Sequence, residues 1–442
     1  MKKIDLTEGK VMSVLTALAL PIMGSSLVQF TYNLVDMFWV GGIGSDAVAS
    51  VGSSSFYIGL GYSINSLVII GAGIKIAHAV GRKNEEEAKG YINAGLVINL
   101  IIGLLYALVL IFLGKNFIEF LNMNNPTVER DSYLYLAVNG PILLFSFFNM
   151  LYARIMGSYG NNHYAFNINL VGLIANIILD PFFIYTLKFG VVGAAVATLA
   201  ANIIMFIIYK VKFKETLKYN FELRLDYKKI VEIIKLGFPM SCQRVLFTLI
   251  NIGLARITAT FGSNAIAAQK LGLEIESVTY MVIGGLNGAI SSFTGQNFGA
   301  KKYNRIIAGY NTALKIGMTY SFIMALLFIF WGEDLVKLFI RDTETIAIAK
   351  RYLFVIAFSE IFSTMEMVSN GIFTGLGLPK IPSIISIVFT ALRLPMALIF
   401  TNFIGLDGIW LSITLSSVLK GSVSYLVYRI KIRKDYKYVK EN

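Results

Sequence analysis

Cysteine, histidine and charge are all scarce in this chain. One of its 442 residues is cysteine, Cys242, so no internal disulfide can form. Two are histidine, His78 and His163, too few for a multi-histidine metal centre. Lys, Arg, Asp and Glu together make up 15%, against about 25% in a soluble domain. A soluble globule of this size covers itself with more charge than that. A soluble enzyme, a secreted disulfide scaffold and a disordered chain are therefore set aside. No Gly-rich run ends in Gly-Lys-Ser/Thr, which argues against direct ATP drive. Neither His-Glu-x-x-His nor a Ser-centred elbow is present, so the chain reads as a non-enzyme with no cofactor.

What the chain does have is apolar length. Hydrophobic residues are 56% and the mean hydropathy is +0.67. Apolar runs near or above the ~18 residues that suggest a membrane span recur from end to end. Such runs must be helices, because lipid offers backbone groups no hydrogen-bond partner. We read twelve spans, an all-α integral membrane protein. The first run, from about Val11 to Ile43, is too long for a signal-peptide core and is read as a retained span. The net charge of +13 lies in loops between the runs, so it points away from nucleic acid. Most of the Lys and Arg fall on one side, which places both termini in the cytoplasm by the positive-inside rule. The densest basic segments are Lys210 to Lys235 and the tail from Arg429.

The two halves resemble each other at an offset of about 218 residues. Ile43 to Ala49 matches Phe261 to Ala267, Leu20-Pro21 lies in register with Phe238-Pro239, and Gly81-Arg82-Lys83 with Gly299-Ala300-Lys301. Phe189 to Gly193 matches Ile404 to Gly408. Six spans per half is an even number, so both halves enter the membrane from the same side. This gives two six-helix lobes related by a parallel pseudo-two-fold repeat. The expected division is residues 1–209 for the N-lobe, 210–235 for a cytoplasmic linker and 236–442 for the C-lobe. Such a duplicated plan suits a rocker-type carrier.

Ionisable groups inside a span need a reason, since each costs about 2.5–3.5 kcal/mol at the helix centre. Gln29, Asn33 and Asp36 recur at i, i+4 and i+7 and form a polar stripe on span 1. Asn176 and Asp180 share a face of span 5. Pro181 has no N–H for the carbonyl of Ile177. Thr198 in span 6 adds a hydroxyl. These are hard oxygen donors, suited to Na⁺, and a carboxylate in a low-dielectric setting can carry a proton instead. The structural alternative is a hydrogen-bonded pair that only pins spans 1 and 5 together.

The second half has different charges, with Glu360 and Glu366 in span 10 and Arg393 in span 11. Pairing of Arg393 with a span-10 glutamate, and of Arg256 with Glu274 or Glu276, is one reading. A substrate-binding or second coupling role is the other. Arg244, Lys315 and Lys420 are expected to snorkel near span ends. An intramembrane aspartyl protease lacks the loop chemistry here. The many Phe, Tyr and Met suit a cavity for flat cationic substrates.

In the Leu20-Pro21 start of span 1, Val35-Asp36, Gly81-Arg82-Lys83-Asn84, Gly157 to Gly160, Asn176 to Pro181 and the 6 + 6 plan, the chain resembles the multidrug and toxic compound extrusion (MATE) family over nearly its whole length. The resemblance implies a multi-pass plasma-membrane efflux antiporter, expelling cationic amphipathic small molecules against H⁺ or Na⁺, as a monomer. It implies a cation site at Asp36, Asn176, Asp180 and Thr198, as in the archaeal and DinF-like branches, with Tyr135 in the same polar network. Other branches use acids in spans 7 and 10. Here Phe247 and Ser363 stand near those positions, with Glu366 close by. The alternatives are a flippase for lipid-linked saccharides from the same superfamily and a gated channel.

Overall fold

The computed structural model describes residues 5–120, 125–220, 223 and 225–432. Part of the basic linker and the tail beyond residue 432 lie outside the described residues. The described residues form twelve helical rods: α1 (Val11–Gly41), α2 (Ser45–Gly81), α3 (Glu85–Phe120), α4 (Pro126–Ser158), α5 (Asn162–Pro181), α6 (Gly190–Lys212), α7 (Tyr227–Ala259), α8 (Ser263–Gly299), α9 (Tyr303–Lys337), α10, α11 and α12 (Asp407–Val427). Two rods are broken: α10 into Thr343–Ala357 and Glu360–Gly375, and α11 into Lys380–Ala391 and Arg393–Ile404.

Nine of the rods are long and apolar enough to cross a membrane. The other three are α8, α10 and α12. They carry Glu276, Glu360, Glu366 and Lys420, all buried. Buried ionisable side chains lower the hydropathy of α8 and α12, and α10 is broken into segments of 15 and 16 residues, each shorter than the ~18 of a span.

Local chemistry explains the helix ends. Asn125 caps α4 through Oδ1, which accepts from the N–H groups of Thr127 (3.1 Å) and Val128 (3.3 Å), and Pro126 follows at the first helical position. Asp342 caps α10, accepting from the Thr345 N–H at 2.8 Å. Lys83 and Lys301, matched by the repeat, both take a left-handed φ of 59°. Gly44 (φ 140°) and Gly262 (φ 99°), also matched, precede α2 and α8. The duplication is thus written in the backbone as well as in the sequence.

Contacts divide the chain into two compact units, Met1–Asp5 with Gly24–Ser241, and Leu6–Met23 with Cys242–Asn442. The units do not coincide with the sequence halves. The start of α1 groups with unit 2, and the start of α7 groups with unit 1. Both boundaries fall two residues beyond a repeat-matched proline, Pro21 and Pro239, each inside its helix and each lacking the N–H that would complete the turn.

In unit 1, Glu232 of α7 meets Lys75 (2.6 Å) and accepts from the Tyr91 hydroxyl (2.6 Å), and the Ser241 hydroxyl donates to the Ser63 carbonyl. In unit 2, Arg305 donates to the carbonyls of Gly9 (2.8 Å), Glu8 (2.9 Å) and Leu6 (3.2 Å). Within each unit, aromatic clusters fill the core: Tyr91, Tyr152, Tyr209 and Phe213 in unit 1, and Phe293, Tyr310, Tyr428 and Phe373 in unit 2.

Candidate functional site

Unit 1 brings the acids of α1 and α5 together. Asn176 and Asp180 are fully buried. One turn apart on α5, they meet when the Asn176 amide donates to Asp180 Oδ1 at 3.0 Å. That bond leaves Asp180 Oδ2 and Asn176 Oδ1 buried with no hydrogen-bond partner. Asp36 is half-buried, lies within electrostatic range of Asp180, and its Oδ1 also has no partner. The backbone helps here. Pro181 removes a donor one turn after Ile177, and the chain continues as a single π-helical turn, Phe182–Thr186, which widens the helix beside the acids.

Tyrosines close the group. The Tyr32 hydroxyl lies beside Thr198, short of a full hydrogen bond, within electrostatic range of both acids. Tyr135, buried, is in range of both acids and next to Asn139. From Thr198 an amide ladder runs on: Asn202 donates to the Thr198 carbonyl at 3.0 Å, and Asn149 donates to the Asn202 carbonyl at 3.0 Å. Buried polar atoms without partners are rare in folded proteins. Four oxygens of this kind, from Asp36, Asn176, Asp180 and Tyr32, share this one region. Their chemistry fits a small hard cation or a proton.

Unit 2 holds a different cluster. Glu276 of α8 accepts from the Tyr352 hydroxyl at 2.7 Å, with Tyr280 beside it. Arg393, at the break in α11, donates to the hydroxyls of Ser416 (3.0 Å) and Ser417 (3.3 Å) and sits over the Phe247 ring. Lys420 of α12 meets Glu366 at 2.9 Å. Glu360, at the break in α10, is fully buried, and neither of its carboxyl oxygens has a partner. Among the described residues no group of three or more His, Cys, Asp or Glu is arranged to hold a metal.

The MatE family profile matches residues 21–182 and 239–399, one segment in each half. The chain belongs to the MatE family. A probable multidrug resistance protein of Bacillus subtilis, YpnP, is 23% identical over 97% of this chain and 97% of its own length. The multidrug export protein MepA of Staphylococcus aureus is 24% identical over 94% and 93%. A solved structure of MATE in the bent conformation superposes with a TM-score of 0.92 at 24% identity, covering 100% of each chain. The fold of this MatE protein is therefore that of a two-lobe, multi-pass, all-helical membrane transporter.

Several expectations change against the coordinates. Gln29 and Asn33 hydrogen-bond each other at 3.3 Å but are exposed. Gln29 stands two turns, about 10 Å along the axis, from Asp36, so the stripe reaches the acid site only at its end. Arg256 and Glu274 are exposed, and Glu276 turns to Tyr352, so the expected pairing with Arg256 gives way to a tyrosine bond. Arg393 feels Glu366 electrostatically but bonds serines, because Lys420 occupies Glu366. Lys420 does not snorkel: it is 5% exposed and ion-paired.

Sequence reasoning missed Tyr32, Tyr280 and Tyr352. For Tyr32 a signal was available, since it lies one turn from Asp36. Tyr280 had the same signal, one turn from Glu276, whereas Tyr352 had none, because Glu276 lies 76 positions away.

Proposed function

We propose that this MatE protein is a multidrug efflux antiporter that expels cationic amphipathic small molecules in exchange for inward H⁺ or Na⁺. The names printed for its relatives support export of drugs. The coupling assignment rests on one observation: the acids of α1 and α5 share a region with three partnerless carboxyl or amide oxygens and no neighbouring base.

In this reading, Asp36, Asn176, Asp180 and Thr198 hold the coupling ion, and Tyr135 belongs to the surrounding network. Residues 1–209 and 236–442 act as the two lobes of a monomer in the plasma membrane, with cytoplasmic termini. H⁺ or Na⁺ ions arriving from outside, one positive charge for each carboxylate, neutralise Asp36 and Asp180. The charge-charge repulsion between them ends, and α1, already missing a hydrogen bond at Pro21, repacks and releases substrate. The empty protein turns inward, gives up the ion and takes new substrate. The ion drives this only through its differential affinity for the two states.

The test is dye efflux from proteoliposomes under an imposed pH or Na⁺ gradient. Asp36→Asn and Asp180→Asn should each lose gradient-driven efflux completely while remaining folded. Full activity in both variants would refute the assignment.

A further inference from the structure

Between Lys235 and Arg256, α7 carries one charged side chain, Arg244. It lies about 14 Å along the helix axis from the first and about 18 Å from the second. That is the middle of a span, too deep for a side chain to snorkel to either surface. Arg244 is nevertheless exposed, and among the described residues no acid lies within electrostatic range of it. An unpaired guanidinium is not tolerated in hydrocarbon, so this one looks onto water.

Its neighbours on the helix agree. Phe247, Thr248 and Asn251 follow at i+3, i+4 and i+7, on the same face, and all are exposed. The Thr248 hydroxyl donates back to the Arg244 carbonyl at 3.1 Å, which leaves its oxygen free to accept. The Phe247 ring has Arg393 over one side at 5.8 Å and is still 43% exposed. Leu249 and Ile252 are exposed on a different face and are apolar, as a surface against lipid should be. α7 therefore turns one face to lipid and another to water. The repeat sharpens the point. Asn251 matches Asn33 of α1, but Arg244 matches Ser26, so the base belongs to the second half alone.

A charge kept at mid-membrane on a watery face marks a substrate path. The planar fork of N–H donors on a guanidinium fits a carboxylate bidentately. The Phe247 ring, one turn away, offers a surface for a flat apolar body.

We propose that this face of α7 binds the transported molecule and that Arg244 grips a carboxylate on it. The substrates are then amphipathic zwitterions, with a carboxylate beside their cationic group, rather than plain cations. The proposal rests on the efflux reading above and narrows its substrate class.

The test pairs rhodamine B, which has a cationic ring system and a free carboxylate, with its ethyl ester, a plain cation. Fluorescence polarisation measures binding of each dye to the full chain in detergent. Proteoliposomes under an imposed pH or Na⁺ gradient measure export. The wild type should bind the acid about tenfold more tightly than the ester, the worth of a charge-assisted hydrogen bond. Arg244→Gln should level the two by weakening the acid alone, and Arg244→Lys should keep part of the preference. Equal affinity in the wild type, failure to bind the acid, or a preference that survives Arg244→Gln overturns the proposal. If Arg244→Gln does not fold, Arg244→Lys decides: a preference reduced severalfold supports the site, and an unchanged one overturns it. Acid bound with the expected preference but exported under neither gradient would count against the efflux reading instead, and would leave the carboxylate site standing.

Discussion

In unit 1 the buried Asp180 has an amide for a neighbour and one oxygen left over, whereas in unit 2 Glu366 faces Lys420 at 2.9 Å and Glu276 receives a tyrosine hydroxyl. The difference separates two uses of an intramembrane acid. An acid with a base beside it is already neutral as a pair and serves packing. An acid among amides, hydroxyls and other acids is neutral only when something positive arrives. By that criterion Glu366 is scaffold, and the partnerless oxygens of Asp36 and Asp180 are what the proposed exchange role requires.

The sharpest way to break this comparison is to strip the scaffold pair. Lys420→Met leaves Glu366 buried without its base, and loss of one partner of a buried pair costs about 3–5 kcal/mol. Its melting temperature in detergent should fall well below that of the wild type. Lys420→Met with Glu366→Leu should recover most of the loss, because no charge then remains unpaired. If the single variant melts like the wild type, Glu366 belongs with the exchange groups instead.

A second comparison concerns how each unit holds the proline-containing helix that groups with it. In unit 1, Gly237 of α7 packs so closely that an added Cβ would lie 1.8 Å from the Leu67 carbonyl oxygen of α2. At the repeat-matched contact in unit 2 the arrangement is reversed: α1 carries Ala19 and α8 carries Gly285, where an added Cβ would meet Met23 at 2.4 Å. Each contact has one glycine, on opposite partners, as expected where close backbone approach holds membrane helices together. Gly237→Ala should destabilise by about 1–3 kcal/mol through overpacking, read as a drop in melting temperature. Adding Leu67→Gly should not recover it, because the three atoms nearest the new Cβ all belong to the Leu67 backbone. Recovery in the double variant would mean that the Leu67 side chain, and not the backbone approach, sets the clash.

The smallest effect is at the caps. Asn125 caps α4 in unit 1 with a neutral side chain, and Asp342 does the same for α10 in unit 2 with a carboxylate. Hydrogen bonds from the Thr345 side chain and backbone hold the Asp342 carboxyl below its usual value. A lowered folded value stabilises above the ordinary carboxylate range, and the benefit fades as pH falls through that lowered value. Asp342→Asn keeps the cap and removes the titration. Its melting temperature should therefore show a slightly shallower fall in acid than the wild type, while Asn125→Asp should steepen it. Parallel curves for wild type and Asp342→Asn would show that the cap carries no pH dependence.

Much of this was legible in the sequence. Low charge and long apolar runs require membrane helices, because unpaired backbone groups are not tolerated in lipid. The spacing of Asn176, Asp180 and Pro181 puts two oxygen-bearing groups and a missing donor on one turn, since i and i+4 share a helix face whatever surrounds it. The duplication shows as matched segments 218 residues apart and returns as matched left-handed turns at Lys83 and Lys301. For Gln29 and Asn33 the spacing placed both on one helix face, where they hydrogen-bond each other, while their exposure depends on what packs against α1. Pairings across helices were not legible at all. Lys420 with Glu366, and Glu276 with Tyr352, join residues 54 and 76 positions apart, and no local period links them.

The sequence alone determined that this chain crosses the membrane in a twice-repeated set of helices and which of those helices carry acids, because hydropathy and helical period act over a few turns. Only the tertiary structure decided which acids have a base and that the first turns of α1 group with unit 2. Those outcomes depend on which helices become neighbours, and the charge of a buried group is settled by what packs against it.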